Sequence, residues 1–139
     1  MKKLVFFLAS TIILNVFPVF ANELLILSGD KSKNSKRWKE EVLPEYSSTG
    51  VGRSLPAKIV SVQGAGFPDW LRRAMEDGRM GEIIGTPTFI IWDTEEQKEL
   101  GRVEGYTQKT RFFSQLNEAV AMVGKGLTPG RREGSNGHQ

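Results

Sequence analysis

The chain has 139 residues, 39% hydrophobic and 25% charged, with no cysteine and a single histidine. That length holds one domain, and without thiols, with His138 one residue from the C-terminus, the chain builds no Cys/His zinc site, disulfide, cysteine nucleophile or Ser-His relay. The formal charge of +3 lacks the dense basic field that nucleic-acid binding requires.

Met1-Lys2-Lys3, the apolar run Leu4 to Phe20 and the exit Val19-Phe20-Ala21 have the three parts of a secretory signal. Cleavage is expected after Ala21, with Asn15 and Pro18 favouring a cut signal over an uncleaved membrane anchor. The mature segment Asn22 to Gln139 loses only Lys2 and Lys3 of the 19 basic residues, leaving 17 against 16 acidic. It is nearly neutral. An exported domain without disulfides must stand on its hydrophobic core.

Glu23 to Ser28 is a short apolar run ended by Gly29-Asp30, which predicts a strand buried on both faces. From Ser32 the spacing of Trp38, Val42, Leu43 and Tyr46 predicts a helix, capped by Asp30 or Ser32 and kinked at its far end by Pro44, with Glu41 in reach of Arg37. Gly50, Gly52 and Pro56 predict a loop before a second strand, Ala57 to Val62. A turn at Gly64 to Pro68 leads into a helix from Asp69 to Gly78 carrying Trp70, Leu71, Ala74 and Met75. Pro87 to Trp92 is the best strand signal, and Glu99 to Gly105 returns as its antiparallel partner. The last helix is expected over Thr107 to Val123, with residues 125–139 a mobile tail rich in Gly, Pro, Arg and Ser.

The order strand, helix, strand, helix, strand, strand, helix puts the first two strands parallel and side by side, adds the hairpin to the same sheet and covers both faces with helices. Several small α/β folds share that order. Gly85-Thr86-Pro87-Thr88-Phe89, Arg102 to Tyr106 followed by Phe112-Phe113, and Ser32-Lys33-Asn34-Ser35-Lys36-Arg37-Trp38 with Glu41 and Pro44 decide among them. Over roughly Leu24 to Val123 these segments resemble the thioredoxin-like superfamily, in particular the exported proteins related to the SoxS group of sulfur-oxidation clusters. The resemblance implies a three-layer sandwich with a central mixed four-stranded sheet as residues 22–124, and a cis Thr86-Pro87 bond before the third strand. It also implies a Cys-x-x-Cys pair at the start of the first helix, where this chain has Ser32 and Ser35.

Serine hydroxyls do not titrate at working pH and form no disulfide, so Ser32 and Ser35 support no redox turnover. Ser32 is expected to cap the helix, and Ser35 to face solvent or bond within the first turn. The partner-facing residues are expected to be Lys33, Asn34, Trp38, Thr86 and Pro87, with the backbone of Thr86 pairing with an extended peptide, although the spacing of Trp38 and Trp70 also suits packing. Lys31, Lys33, Lys36, Arg37 and Lys39 form a charged face suited to acidic partners. The chain is thus expected to be a non-catalytic periplasmic binding or regulatory protein with a protein or extended peptide as partner, no metal, cofactor or nucleic acid, and a link to sulfur or thiol metabolism. The alternatives are chaperone-like or thiol-disulfide work with cysteines supplied by a partner, and a membrane-tethered accessory subunit whose leader is never cut.

Overall fold

A computed structural model describes residues 22–126. The expected leader, residues 1–21, and the expected tail beyond Gly126 lie outside the described residues. The elements are β1 (Asn22–Ser28), α1 (Lys33–Glu41), α2 (Leu43–Tyr46), α3 (Gly50–Ser54), β2 (Ala57–Ser61), α4 (Asp69–Glu76), β3 (Thr88–Asp93), β4 (Lys98–Glu104) and α5 (Lys109–Gly124), with one 3-10 turn at Gly64–Gly66.

The strands form one sheet in the order β2-β1-β3-β4. β1 lies parallel to β2, with Ile26 opposite Ile59, and antiparallel to β3, with Ile26 opposite Phe89. β3 and β4 are antiparallel, with a shift of register between Ile91 and Trp92. Successive side chains of a strand point to opposite faces, so the apolar run of β1 feeds two cores. Leu24 and Ile26 meet Trp38, Tyr46, Phe89, Phe112 and Leu116 on the side of α1 and α5. Leu25 and Leu27 meet Val60, Leu71, Ala74, Ile90 and Trp92 on the side of α4. The outcome is three layers with both sheet faces covered.

The segment between α1 and β2 departs from the expected single kinked helix and loop. Helix α1 stops at Val42, and Pro44 stands in the first turn of a new short helix rather than inside an old one, where its missing N–H costs nothing. The expected loop at Gly50 and Gly52 is α3. Thr49 caps it, accepting from the Gly52 N–H at 3.0 Å while donating to the Tyr46 carbonyl at 2.6 Å. A Cβ on Gly52 would stand 1.7 Å from the Tyr46 oxygen, so glycine is there for close backbone approach, not for flexibility. The Tyr46 hydroxyl donates to the Leu55 carbonyl at 2.6 Å, tying α2 to the end of α3.

Candidate functional site

The carboxyl ends of β1 and β2 and the entry to β3 meet at one end of the sheet, and the serines lie where they meet. Ser32 has extended backbone (φ −78°, ψ 114°), and its Oγ accepts from the Ser35 N–H at 3.2 Å. It is the N-cap of α1, filling one of the donors a helix start leaves unpaired. The same hydroxyl donates to the Thr86 carbonyl at 3.0 Å, 54 positions along the chain. The Thr86–Pro87 bond is cis. One hydroxyl therefore joins the helix start to the turn, using both its donor and acceptor capacity.

Gly29 allows that approach. A Cβ there would lie 2.8 Å from the Thr86 Oγ1 and 3.0 Å from the Gln63 side-chain nitrogen. Gln63, just past β2, accepts the Asp30 N–H on its side-chain oxygen at 2.9 Å. Three chain segments are thus held together by polar contacts around a residue without a side chain.

The second serine is placed differently from expectation. Ser35 is 2% exposed, and its hydroxyl has no hydrogen-bond partner. It neither faces solvent nor bonds within the first turn, because its position on α1 turns it inward with Trp38. The Ser28 hydroxyl and the Trp38 indole N–H are also buried and unpartnered. By strand alternation Ser28 points to the sheet face of Leu24 and Ile26, the face that α1 covers. All three groups therefore belong to the layer between β1 and α1.

Trp38 is fully buried, its ring centroid 5.3 Å from that of Phe89 and 5.7 Å from that of Phe112. The expectation that it contacts a partner is corrected on this ground: the ring is a core element beneath the helix. Pro87 is buried as well, so it shapes the turn and leaves Thr86, half-buried, as the part that faces outward. Lys33 and Asn34 are exposed at the helix start.

Two further clusters brace the site. The Glu41 carboxylate accepts from the Tyr106 hydroxyl and from Arg37 at 3.1 Å, while the Arg37 guanidinium lies 5.7 Å from the Tyr106 ring centre. The Tyr106 bond, opposed by desolvation and aided by Arg37, holds Glu41 below its ordinary pKa. Burial first, then the Glu41 bond, pushes the Tyr106 phenol up to about 12. On the other side Arg102 makes a bidentate pair with Glu99 at 2.6 and 2.9 Å and donates to the Glu82 carbonyl at 2.8 Å. Glu99 in turn accepts the Gly81 N–H at 2.9 Å. These bonds pin residues 81 and 82 to β4 a few residues before Thr86.

Sequence reasoning missed Gly29, Gln63 and the site-bracing roles of Tyr106 and Arg102. The Arg37–Glu41 spacing was readable because it is local. Among the described residues there is no group of three or more His, Asp or Glu side chains placed to hold a metal ion.

No family model matches the chain, and no curated protein matches it. Among solved structures it is similar to the periplasmic thioredoxin SoxS from Paracoccus pantotrophus in its reduced form, at 25% identity, covering 75% of this chain and 97% of that one with a TM-score of 0.58. The chain has a thioredoxin-like fold, and it contains no cysteine.

Proposed function

We propose that this thioredoxin-like chain is a non-catalytic protein-binding or regulatory module of the bacterial periplasm, which presents the Ser32–Arg37 helix start and the Thr86–Pro87 turn to a protein partner. The observation that carries this reading is the Ser32–Thr86 hydrogen bond at 3.0 Å. It keeps the helix start and the turn together without a thiol, and so keeps a shaped surface in the absence of redox chemistry. Disulfide exchange requires an attacking thiolate and a resolving thiol, and the chain contains neither. The half-buried Thr86, held beside the start of α1, is suited to strand-like peptide capture. The likeness to a protein described as a periplasmic thioredoxin, together with the apolar leader after Lys2-Lys3, supports export and a place in sulfur or thiol metabolism.

The reading is tested by photo-crosslinking in the native host. A crosslinker at Asn34 or Thr86 is expected to capture a discrete periplasmic protein, while one at the exposed Glu118 of α5 does not. Equal capture from all positions, or insulin reduction above the dithiothreitol background, overturns it. Mass spectrometry of the exported protein is expected to find Asn22 as its first residue; a chain retaining Leu4 to Phe20 overturns the soluble periplasmic assignment.

A further inference from the structure

We propose that the open edge of β2 pairs with the same edge of a second copy of this chain, joining the two sheets about a two-fold axis at Ile59. The inference stands on the sheet and does not depend on the binding role above.

The strand order leaves β2 and β4 at the two edges, and an edge strand presents unpaired N–H and C=O groups to any strand that can add to it. The two edges differ. Residues 79–82 run along β4: the Arg79 carbonyl receives the Glu99 N–H at 2.8 Å, the Arg79 guanidinium donates to the Gln97 carbonyl at 2.8 Å, and Arg102 reaches the Glu82 carbonyl at 2.8 Å. Among the described residues no segment lies along the outer side of β2 in the same way.

The ladder to β1 fixes which groups of β2 face outward. It opens with the Leu24 N–H on the Pro56 carbonyl at 2.8 Å and closes with the Val62 N–H on the Ser28 carbonyl at 3.1 Å, with Ile26 opposite Ile59 between them. A strand turns the backbone groups of alternate residues toward one neighbour. Pro56, Lys58, Val60 and Val62 therefore face β1, and Ala57, Ile59 and Ser61 turn their N–H and C=O to the open side. The usual guards of an edge, lysine and proline, do not cover it. The Lys58 ammonium is laid over the α4 face, 5.5 Å from the Trp70 ring centre, and Pro56 precedes the strand with its carbonyl turned inward. Ile59, at the middle of the bare edge, is 42% exposed.

The edge is complementary to itself. Antiparallel pairing centred on Ile59 sets Ala57 opposite Ser61 and Ile59 opposite Ile59, so the outward groups of each pair exchange both hydrogen bonds. Lys58 then falls opposite Val60. It is the one charged residue from Ser54 to Val62, so no like charges stand directly opposed, the arrangement that disfavours a strand pair. The two Ile59 side chains meet at the axis on one face of the joined sheet. With β4 covered, each chain offers a single bare edge, and the assembly closes at two copies instead of growing into a filament. The candidate site lies at the carboxyl ends of β1 and β2, so an antiparallel pair carries its two sites at opposite ends, both free. A five-residue strand edge buries less than a standard interface, which makes the pair weak, with a dissociation constant of about 0.1–1 mM.

The test uses the chain exported from its full sequence. In sedimentation from about 10 µM to about 2 mM its weight-average mass is expected to rise by about half or more. I59K and I59E each set like charges across the axis and are expected to stay monomeric over that range, whereas their equimolar mixture, which opposes lysine to glutamate, is expected to recover the association. Disulfide trapping tests the register separately, because the chain has no cysteine of its own. I59C is expected to form a disulfide dimer about tenfold faster than K58C or E118C, since the Cα atoms of a hydrogen-bonded antiparallel pair lie about 5.5 Å apart, within disulfide reach. A mass that stays monomeric to the top of the range, association that survives in both I59K and I59E, or I59C trapping no faster than the two controls overturns the proposal. Association in which the mixture fails to recover overturns the register centred on Ile59. A β2 edge protected from amide exchange equally at both ends of the concentration range is covered by something other than a second copy, and that result also overturns the proposal.

Discussion

Tyr106, just past β4, donates its phenolic hydrogen to Glu41 at the carboxyl end of α1, 65 positions earlier in the chain. Each residue shifts the other. Glu41 has its folded pKa lowered from 4.5, chiefly by this bond, so its contribution to stability is present above that ordinary value and is lost as pH falls through the lowered one. Tyr106 has its folded pKa raised from 10.0 to about 12, by burial and then by Glu41. Its contribution is fully present below pH 10 and is lost as pH rises toward 12. Y106F is expected to lower the melting temperature near neutrality and to flatten the stability profile at both its acid and alkaline ends. Thermal unfolding across the two ranges checks this, and a Y106F profile parallel to that of the parent would contradict it.

The buried hydroxyl of Ser35 leads to a prediction of opposite sign. A buried polar group without a partner costs about 1–3 kcal/mol, and Ser35 is 2% exposed with its Oγ unpaired. S35A removes that group and leaves a small void. It is expected to be neutral or to stabilise by about 1 kcal/mol in urea unfolding, where most buried substitutions destabilise. S32A is expected to cost about 1 kcal/mol, the usual value of a lost N-cap. A destabilised S35A would show that its hydroxyl has a partner.

The two serines also lie at the N-cap and in the first turn of α1, where thiols have their pKa lowered by the helix start. S32C/S35C is therefore expected to acquire insulin reductase activity, whereas S32C alone forms mixed disulfides without turnover. A folded double variant with no activity would count against the position of the pair relative to the cis turn.

How far these features could be read in advance follows from the range of the contacts involved. The two-core role of β1 was legible because Leu24 to Leu27 are consecutive apolar residues and alternation assigns them to opposite faces. The β3–β4 pairing was legible from strand propensity and a polar turn. Thr86-Pro87 and the paired serines stood out only through their resemblance to a known pattern. By contrast Gly52 read as loop because its neighbour, the Tyr46 carbonyl, is a backbone atom that no side-chain pattern reports. Gln63, Glu41 with Tyr106, and Ser32 with Thr86 are joined across 33, 65 and 54 positions, and nothing local marks them. Trp38 suited either a surface or a core from its spacing alone; the rings of Phe89 and Phe112, brought in from distant segments, settled it as core.

Arg102 provides the sharpest test of how the turn is held. Its side chain is 7% exposed and that of Glu99 14%, and the pair is bidentate. Removing one member of a buried ion pair typically costs about 3–5 kcal/mol, because the other charge is left unpaired, whereas replacing both with apolar groups is often neutral. R102A is expected to fall in that range, and R102M/E99L to recover much of the loss. Arg102 also donates to the Glu82 carbonyl, and Glu99 accepts the Gly81 N–H, so either change releases the strap that leads to Thr86. The double variant is therefore expected to be stable yet to show faster amide exchange at residues 81–86 and weaker crosslinking from Thr86. If exchange there is unchanged while stability recovers, Arg102 acts only as a core ion pair and the turn is held by Ser32 and Gly29 alone.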